Sequence, residues 1–160
     1  MDTARVTLAD LEDLDDLVEL WVALAADQRT VGSTIRADAN AATARQWLSE
    51  LVAGGGIFVA RADNELLGFV TFDTRYDRFS RTHNAGVIHN LFVRAAVREQ
   101  GIGSRLLAAA AAALAARGHE TVTLEVLAAN EEARAFYEDR AYELHRRLYR
   151  KSIEETDKAN

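Results

Sequence analysis

The chain has 160 residues, 49% of them hydrophobic and 28% charged, with a formal net charge of −6 and no cysteine. That length and apolar content suit one folded domain with a sizeable core and argue against disorder. Lack of cysteine excludes disulfides, thiolate zinc sites and a thiol nucleophile, and the negative charge opposes nonspecific nucleic-acid binding.

No apolar run reaches the roughly 18 residues that a membrane span needs, and no basic region followed by an apolar core opens the chain. The expected location is therefore the cytoplasm, with no membrane and no nucleic acid as partner. The four histidines show no ligand spacing, so no metal is expected. An acidic surface favours solubility and also attracts cationic partners such as amines.

In chain order, Val6-Thr7-Leu8 predicts a short first strand. Asp10 or Asp13 can cap a helix to about Ala26, with Leu11, Leu14, Leu17, Val18, Trp21 and Leu24 on one face. A polar loop over 27–40 leads to a second helix over 41–52, stopped by Gly54-Gly55-Gly56. Residues 57–61 and 66–72 read as a hairpin around Asp63-Asn64. The polar and aromatic segment 73–86, with Tyr76, Phe79 and His83, is long enough to help wall a substrate site. Val87 to Val93 reads as a buried strand, and a helix with the alanine run 108–113 follows. Thr121 to Leu127 predicts another strand, with a helix after Asn130. Alternation over Tyr142 to Ile153 predicts a closing strand, and the last residues fray. This order predicts an α/β (α+β) fold, a mixed sheet with helices on both faces.

Between the strand at 87–93 and its helix stands Arg98-Glu99-Gln100-Gly101-Ile102-Gly103-Ser104. The first turn of a helix carries N–H groups without partners and the positive end of the dipole, so such a place binds phosphate. Glycine lets the backbone approach closely, and Arg98 adds a fixed positive charge. No Lys-Ser/Thr pair follows Gly103, so this is not a P-loop, and Leu106 replaces the third glycine of a dinucleotide fingerprint. A pyrophosphate cradle and a tight strand-to-helix turn both remain open on this stretch alone.

A second stretch runs from a strand to Asn130, Ala133, Phe136 and Tyr137. Together with Arg98, Gly101 and Gly103, it resembles the Gcn5-related N-acetyltransferase (GNAT) superfamily over about residues 5–152. The sequence departs from many relatives at Ala95 (Pro in many), at Glu99 (Gly) and at Ala141-Tyr142 (Gly-Phe). The helix thus lacks the usual left-handed glycine cap.

The resemblance implies one N-acetyltransferase domain over residues 1–160, with a core over 5–152 and a tail over 154–160. Its two central strands would splay apart. Acetyl-CoA is the implied cosubstrate, with its pantetheine arm paired to the edges of Leu91 and Val93 beside Phe92. The implied cofactor contacts are Arg98, Glu99, Gln100, Gly101, Ile102, Gly103 and Ser104, with Asn130 and Phe136. Tyr137 is the implied partner of the departing thiolate, against the alternative of a core tyrosine. Glu125 is twelve residues before Tyr137, a spacing like the Glu and Tyr pair of ribosomal-protein alanine acetyltransferases. It is the favoured proton acceptor.

His89, which interrupts the apolar strand, is the rival base, because an imidazole near pKa 6.5 suits neutral pH. A hydrogen-bonded core histidine and a structural carboxylate are the plainer readings of His89 and Glu125. A lysine-like acceptor costs about 4.6 kcal/mol to deprotonate at neutral pH and an α-amine only about 1 kcal/mol. The implied function is acetyl transfer to a primary amine of a small molecule or peptide, by direct attack, in a chain that can form a homodimer. The alternative is a noncatalytic acyl-CoA-binding module serving a protein partner.

Overall fold

The structure, a computed structural model, describes residues 3–74 and 79–158. Tyr76 therefore lies outside the described residues. The chain forms two compact units, Met1–Ala129 and Asn130–Asn160.

In the first unit, β1 (Arg5–Leu8), β2 (Ile57–Ala62), β3 (Glu65–Thr74), β4 (Ala85–Val93) and β5 (Thr121–Leu124) form one sheet in the order β1-β2-β3-β4-β5. Every pairing is antiparallel except β4 with β5, which is parallel. The mixed sheet expected from the element order is thus present. The β2–β3 hairpin turns on Asp63 and Asn64, whose φ values of 51° and 64° are those that a two-residue hairpin turn demands.

Helix α1 (Leu14–Arg29) and helix α2 (Ala41–Ala53) cover one face of the sheet. Leu17, Leu20 and Leu24 of α1 and Ala44, Leu48 and Leu51 of α2 pack with Ile57, Val59, Phe69 and Phe92. The predicted first helix starts later than its sequence signal. Asp10 caps a short 3-10 turn, Leu11–Asp13, accepting from the Glu12 N–H at 2.9 Å, and Leu11 stays exposed. Asp13 returns the cap by accepting from the Asp10 N–H and is itself buried against Arg61 at 2.7 Å.

Helix α3 (Ile102–Ala116) covers the opposite face, burying Ile102, Leu106, Leu107, Ala110 and Leu114. Gly86 makes its approach possible: a Cβ there would stand 2.6 Å from a Leu114 methyl.

Two expected strands are revised. β5 ends at Leu124, not Leu127. Residues 142–153, expected as a closing strand, form neither helix nor strand, and Leu144, Leu148, Tyr149 and Ile153 are exposed. Alternation permits an extended backbone, but a strand also needs a neighbouring backbone to bond.

The second unit holds α4 (Glu131–Glu138) and the short α5 (Glu155–Lys158). Asn130 caps α4, its side-chain oxygen accepting from the Ala133 N–H at 3.1 Å. Without glycine, the left-handed cap still forms, with Ala141 at φ +66°. The Tyr142 N–H bonds the Tyr137 carbonyl and the Ala141 N–H bonds the Glu138 carbonyl, both at 3.1 Å. These are the two bonds of a Schellman turn.

Candidate active site

The parallel pairing of β4 and β5 runs only from Ala85 with Thr121 to Ile88 with Leu124. Beyond Leu124, no strand among the described residues continues beside β4. The reason lies on the other side of β4. Asn90 pairs with Thr71 and Ile88 with Phe72, so His89 has no opposite residue on β3. One extra residue is a β-bulge, which bends the strand and re-aims its side chains. Strands β4 and β5 therefore part at His89.

Past the bulge, β4 presents an open edge. The Arg94 N–H bonds the Leu67 carbonyl at 2.8 Å, which sets the alternation of the antiparallel ladder. Phe69 with Phe92 and Thr71 with Asn90 are then the bonded pairs, while Val70 with Leu91 and Gly68 with Val93 are not. The backbone groups of Leu91 and Val93 thus point away from β3, toward the gap. The Phe92 side chain is buried beneath them.

The segment after β4 passes a 3-10 turn, Ala95–Val97, and enters α3 through Gly101. Gly101 has φ +81° and no side chain caps the helix start. Glu99 also adopts a left-handed φ, +64°, and its side chain is exposed. Gln100 is exposed too, while Ile102 belongs to the core under α3. Gly103 and Ser104 form the first turn of α3. An open strand edge beside an uncapped helix start fits an extended, amide-bearing ligand that ends in a pyrophosphate.

On the face covered by α1 and α2, the bulge presents His89. Its ring meets the indole of Trp47 edge to face at 5.5 Å between centroids. Burial lowers the His89 pKa from its ordinary value, and the carboxylates of Asp73 and Glu125 partly counter that effect. Glu125 itself is exposed, one residue beyond β5. Beside them, the buried Thr71 hydroxyl donates to the Asn90 side-chain oxygen at 3.0 Å. Sequence reading missed Trp47 here, and gave Asp73 only as the start of the 73–86 segment, whereas it lies in β3. No local signal marks them, because the bulge that gathers them is a property of strand pairing.

Asn130, Phe136 and Tyr137 lie together in the second unit. Tyr137 packs edge to face on Phe136 at 5.2 Å and on Tyr142 at 5.6 Å. The Arg140 guanidinium lies 3.7 Å from the Phe136 ring centroid. Burial, then the neighbouring Tyr142, pushes the Tyr137 phenol up to about 12. It is protonated at neutral pH and so has an O–H to donate.

Among the described residues, no helix is long and apolar enough to cross a membrane, and no group of three or more His, Asp or Glu side chains could hold a metal ion.

The chain belongs to the Acetyltransferase (GNAT) family, which it matches over residues 16–142. It is 33% identical over 133 residues to an uncharacterized N-acetyltransferase of Archaeoglobus fulgidus, covering 83% of this chain and 88% of the relative. Its fold is similar to that of a GCN5-related N-acetyltransferase from Ralstonia eutropha JMP134, with a TM-score of 0.76 at 22% identity, covering 93% of this chain and 98% of the other. It is also similar in fold to AAC(6')-Iy, solved with a bisubstrate analog, CoA-S-monomethyl-acetylneamine, with a TM-score of 0.68 at 16% identity over 94% and 99% of the two chains.

Proposed function

We propose that this chain, acting as one domain over residues 1–160, transfers the acetyl group of acetyl-CoA to a primary amine by direct attack. The observation that carries the reading is the parting of β4 and β5 at His89, which leaves the Leu91 and Val93 edge open beside the uncapped start of α3. In this reading the edge pairs with the amides of the pantetheine arm, and the N–H groups of the 98–104 segment hold the pyrophosphate. The CoA-analog complex of AAC(6')-Iy, a protein of similar fold, supports the choice of cosubstrate.

The amine nitrogen bonds the thioester carbonyl carbon, the carbon–sulfur bond breaks, and the sulfur leaves as thiolate. Glu125 accepts the proton that the amine loses. Tyr137 donates a hydrogen bond to the thiolate. With its phenol near 12 and a thiol near 8.5, complete transfer from the tyrosine is uphill by roughly 5 kcal/mol. A strengthening hydrogen bond is therefore its role, and the thiolate takes its proton from solvent.

A second reading makes His89 the base. Its position at the bulge and its lowered pKa, which keeps it neutral near pH 7, favour it. The acidic surface suits a cationic acceptor such as a polyamine, an aminoglycoside or a peptide amine.

The test is release of free CoA thiol from acetyl-CoA with a panel of amines. Amine-dependent release supports the enzyme. Tight acetyl-CoA binding without release for any amine leaves the noncatalytic module.

A further inference from the structure

Arg98 opens the glycine motif, where its charge suits a phosphate oxygen, but its side chain is engaged elsewhere. Its Nε donates to the Val93 carbonyl at 2.8 Å. Its Nη2 donates to the Asp27 carboxylate at 3.2 Å. The guanidinium carbon stands 5.5 Å from the centroid of the Phe92 ring. Asp27 lies near the end of α1, so one side chain ties the end of β4 to a helix 71 residues earlier.

The bonded carbonyl matters most. The open edge of β4 offers two N–H groups and two carbonyls, from Leu91 and Val93. Arg98 takes the Val93 carbonyl and leaves the Leu91 N–H, the Leu91 carbonyl and the Val93 N–H. Asp27 is hard to reconcile with a phosphate role for Arg98. A carboxylate there offsets the charge that would attract an anion.

We propose that Arg98 is a positioning residue, anchored by Asp27 and Phe92, which caps the Val93 carbonyl and so ends the pairing edge where the chain turns toward α3. An extended ligand is then held to one register: it pairs up to the Val93 N–H and must leave the strand there, toward the start of α3. The pyrophosphate is left to backbone N–H groups. This inference rests on the acetyl-CoA reading.

Calorimetric titration of the full chain with CoA and with 3′-phospho-ADP, which keeps the pyrophosphate and lacks the pantetheine arm, separates the roles. Arg98→Met keeps an apolar stem over Phe92, and Arg98→Lys keeps the charge without the Nε donor. Both should weaken CoA about tenfold and leave 3′-phospho-ADP within about twofold. Asp27→Asn should weaken CoA as well, although simple electrostatics predicts that losing a carboxylate tightens an anionic ligand. Equal losses for the two ligands in Arg98→Met, full affinity in Arg98→Lys, or tighter CoA binding in Asp27→Asn would each overturn the positioning role. Wild-type chain that binds neither ligand overturns the acetyl-CoA reading, and this inference with it.

Discussion

His89 and Glu125 are the first residues beyond the last paired positions of β4 and β5, Ile88 and Leu124. The two candidate bases thus flank one opening from opposite strands. The Glu125 carboxylate raises the His89 pKa, against the larger opposing effect of burial. Changing Glu125 therefore alters His89.

The pH dependence tells them apart. Glu125→Gln should depress turnover at neutral pH and leave a residual rate that climbs with pH as free amine accumulates. His89→Gln should have the smaller effect. If instead His89→Gln abolishes the acidic limb of the pH–rate profile while Glu125→Gln preserves it, the imidazole is the base. In that case the limb lies below pH 6.5. Asp73→Asn then moves it lower still, because a carboxylate that raises the pKa is gone.

His89 also links stability to pH. Its folded pKa is lowered from 6.5, so the unfolded chain binds more protons in the window just below that value. Stability from this group is present above the window and is lost as pH falls through it. Urea titrations at several pH values should show a shallower loss on acidification in His89→Gln than in the wild type.

Tyr137→Phe removes only the hydroxyl. Turnover should fall while acetyl-CoA affinity stays within a few-fold, since the bond to the thiolate strengthens only as charge develops. Because the phenol sits near 12, Tyr137 should produce no basic limb in the wild-type profile below about pH 10. Equal rates in the two proteins, with chemistry rate-limiting, would assign Tyr137 to packing alone.

Gly101 has φ +81°, yet a Cβ there would meet nothing within 4 Å. Gly101→Val should therefore cost stability through backbone strain, by about 1–2 kcal/mol, with no clash at its Cβ. It should also weaken acetyl-CoA binding severely, because the Cβ would stand where a phosphate approaches. Urea denaturation measures the first effect and calorimetry the second. Unchanged acetyl-CoA affinity would remove this loop from the binding site.

Ala141 holds a left-handed conformation, φ +66°, that glycine adopts freely. Ala141→Gly should stabilise the protein by up to about 1 kcal/mol, the relief of strain being partly offset by a more flexible unfolded chain. A rise in the urea midpoint at constant m checks this.

What the sequence determined by itself was local. Apolar runs marked β2, β3 and β4, the spacing of Leu17, Val18, Trp21 and Leu24 marked the packed face of the first helix, and Asp63-Asn64 marked the hairpin turn. The glycine loop and the Asn130-to-Tyr137 spacing pointed to the family, because those residues act through neighbours a few positions away. The tertiary structure decided what depends on distant backbone. Pairing with β3 leaves His89 unmatched, and that bulge, not the run Thr121 to Leu127, ends β5 at Leu124. Trp47 and Asp73 reach His89 only because α2 and β3 pack beside it. Arg98 reaches Asp27 across 71 residues of chain. The alternation over Tyr142 to Ile153 could promise only an extended shape. Becoming a strand requires a partner's hydrogen bonds, which no local pattern encodes.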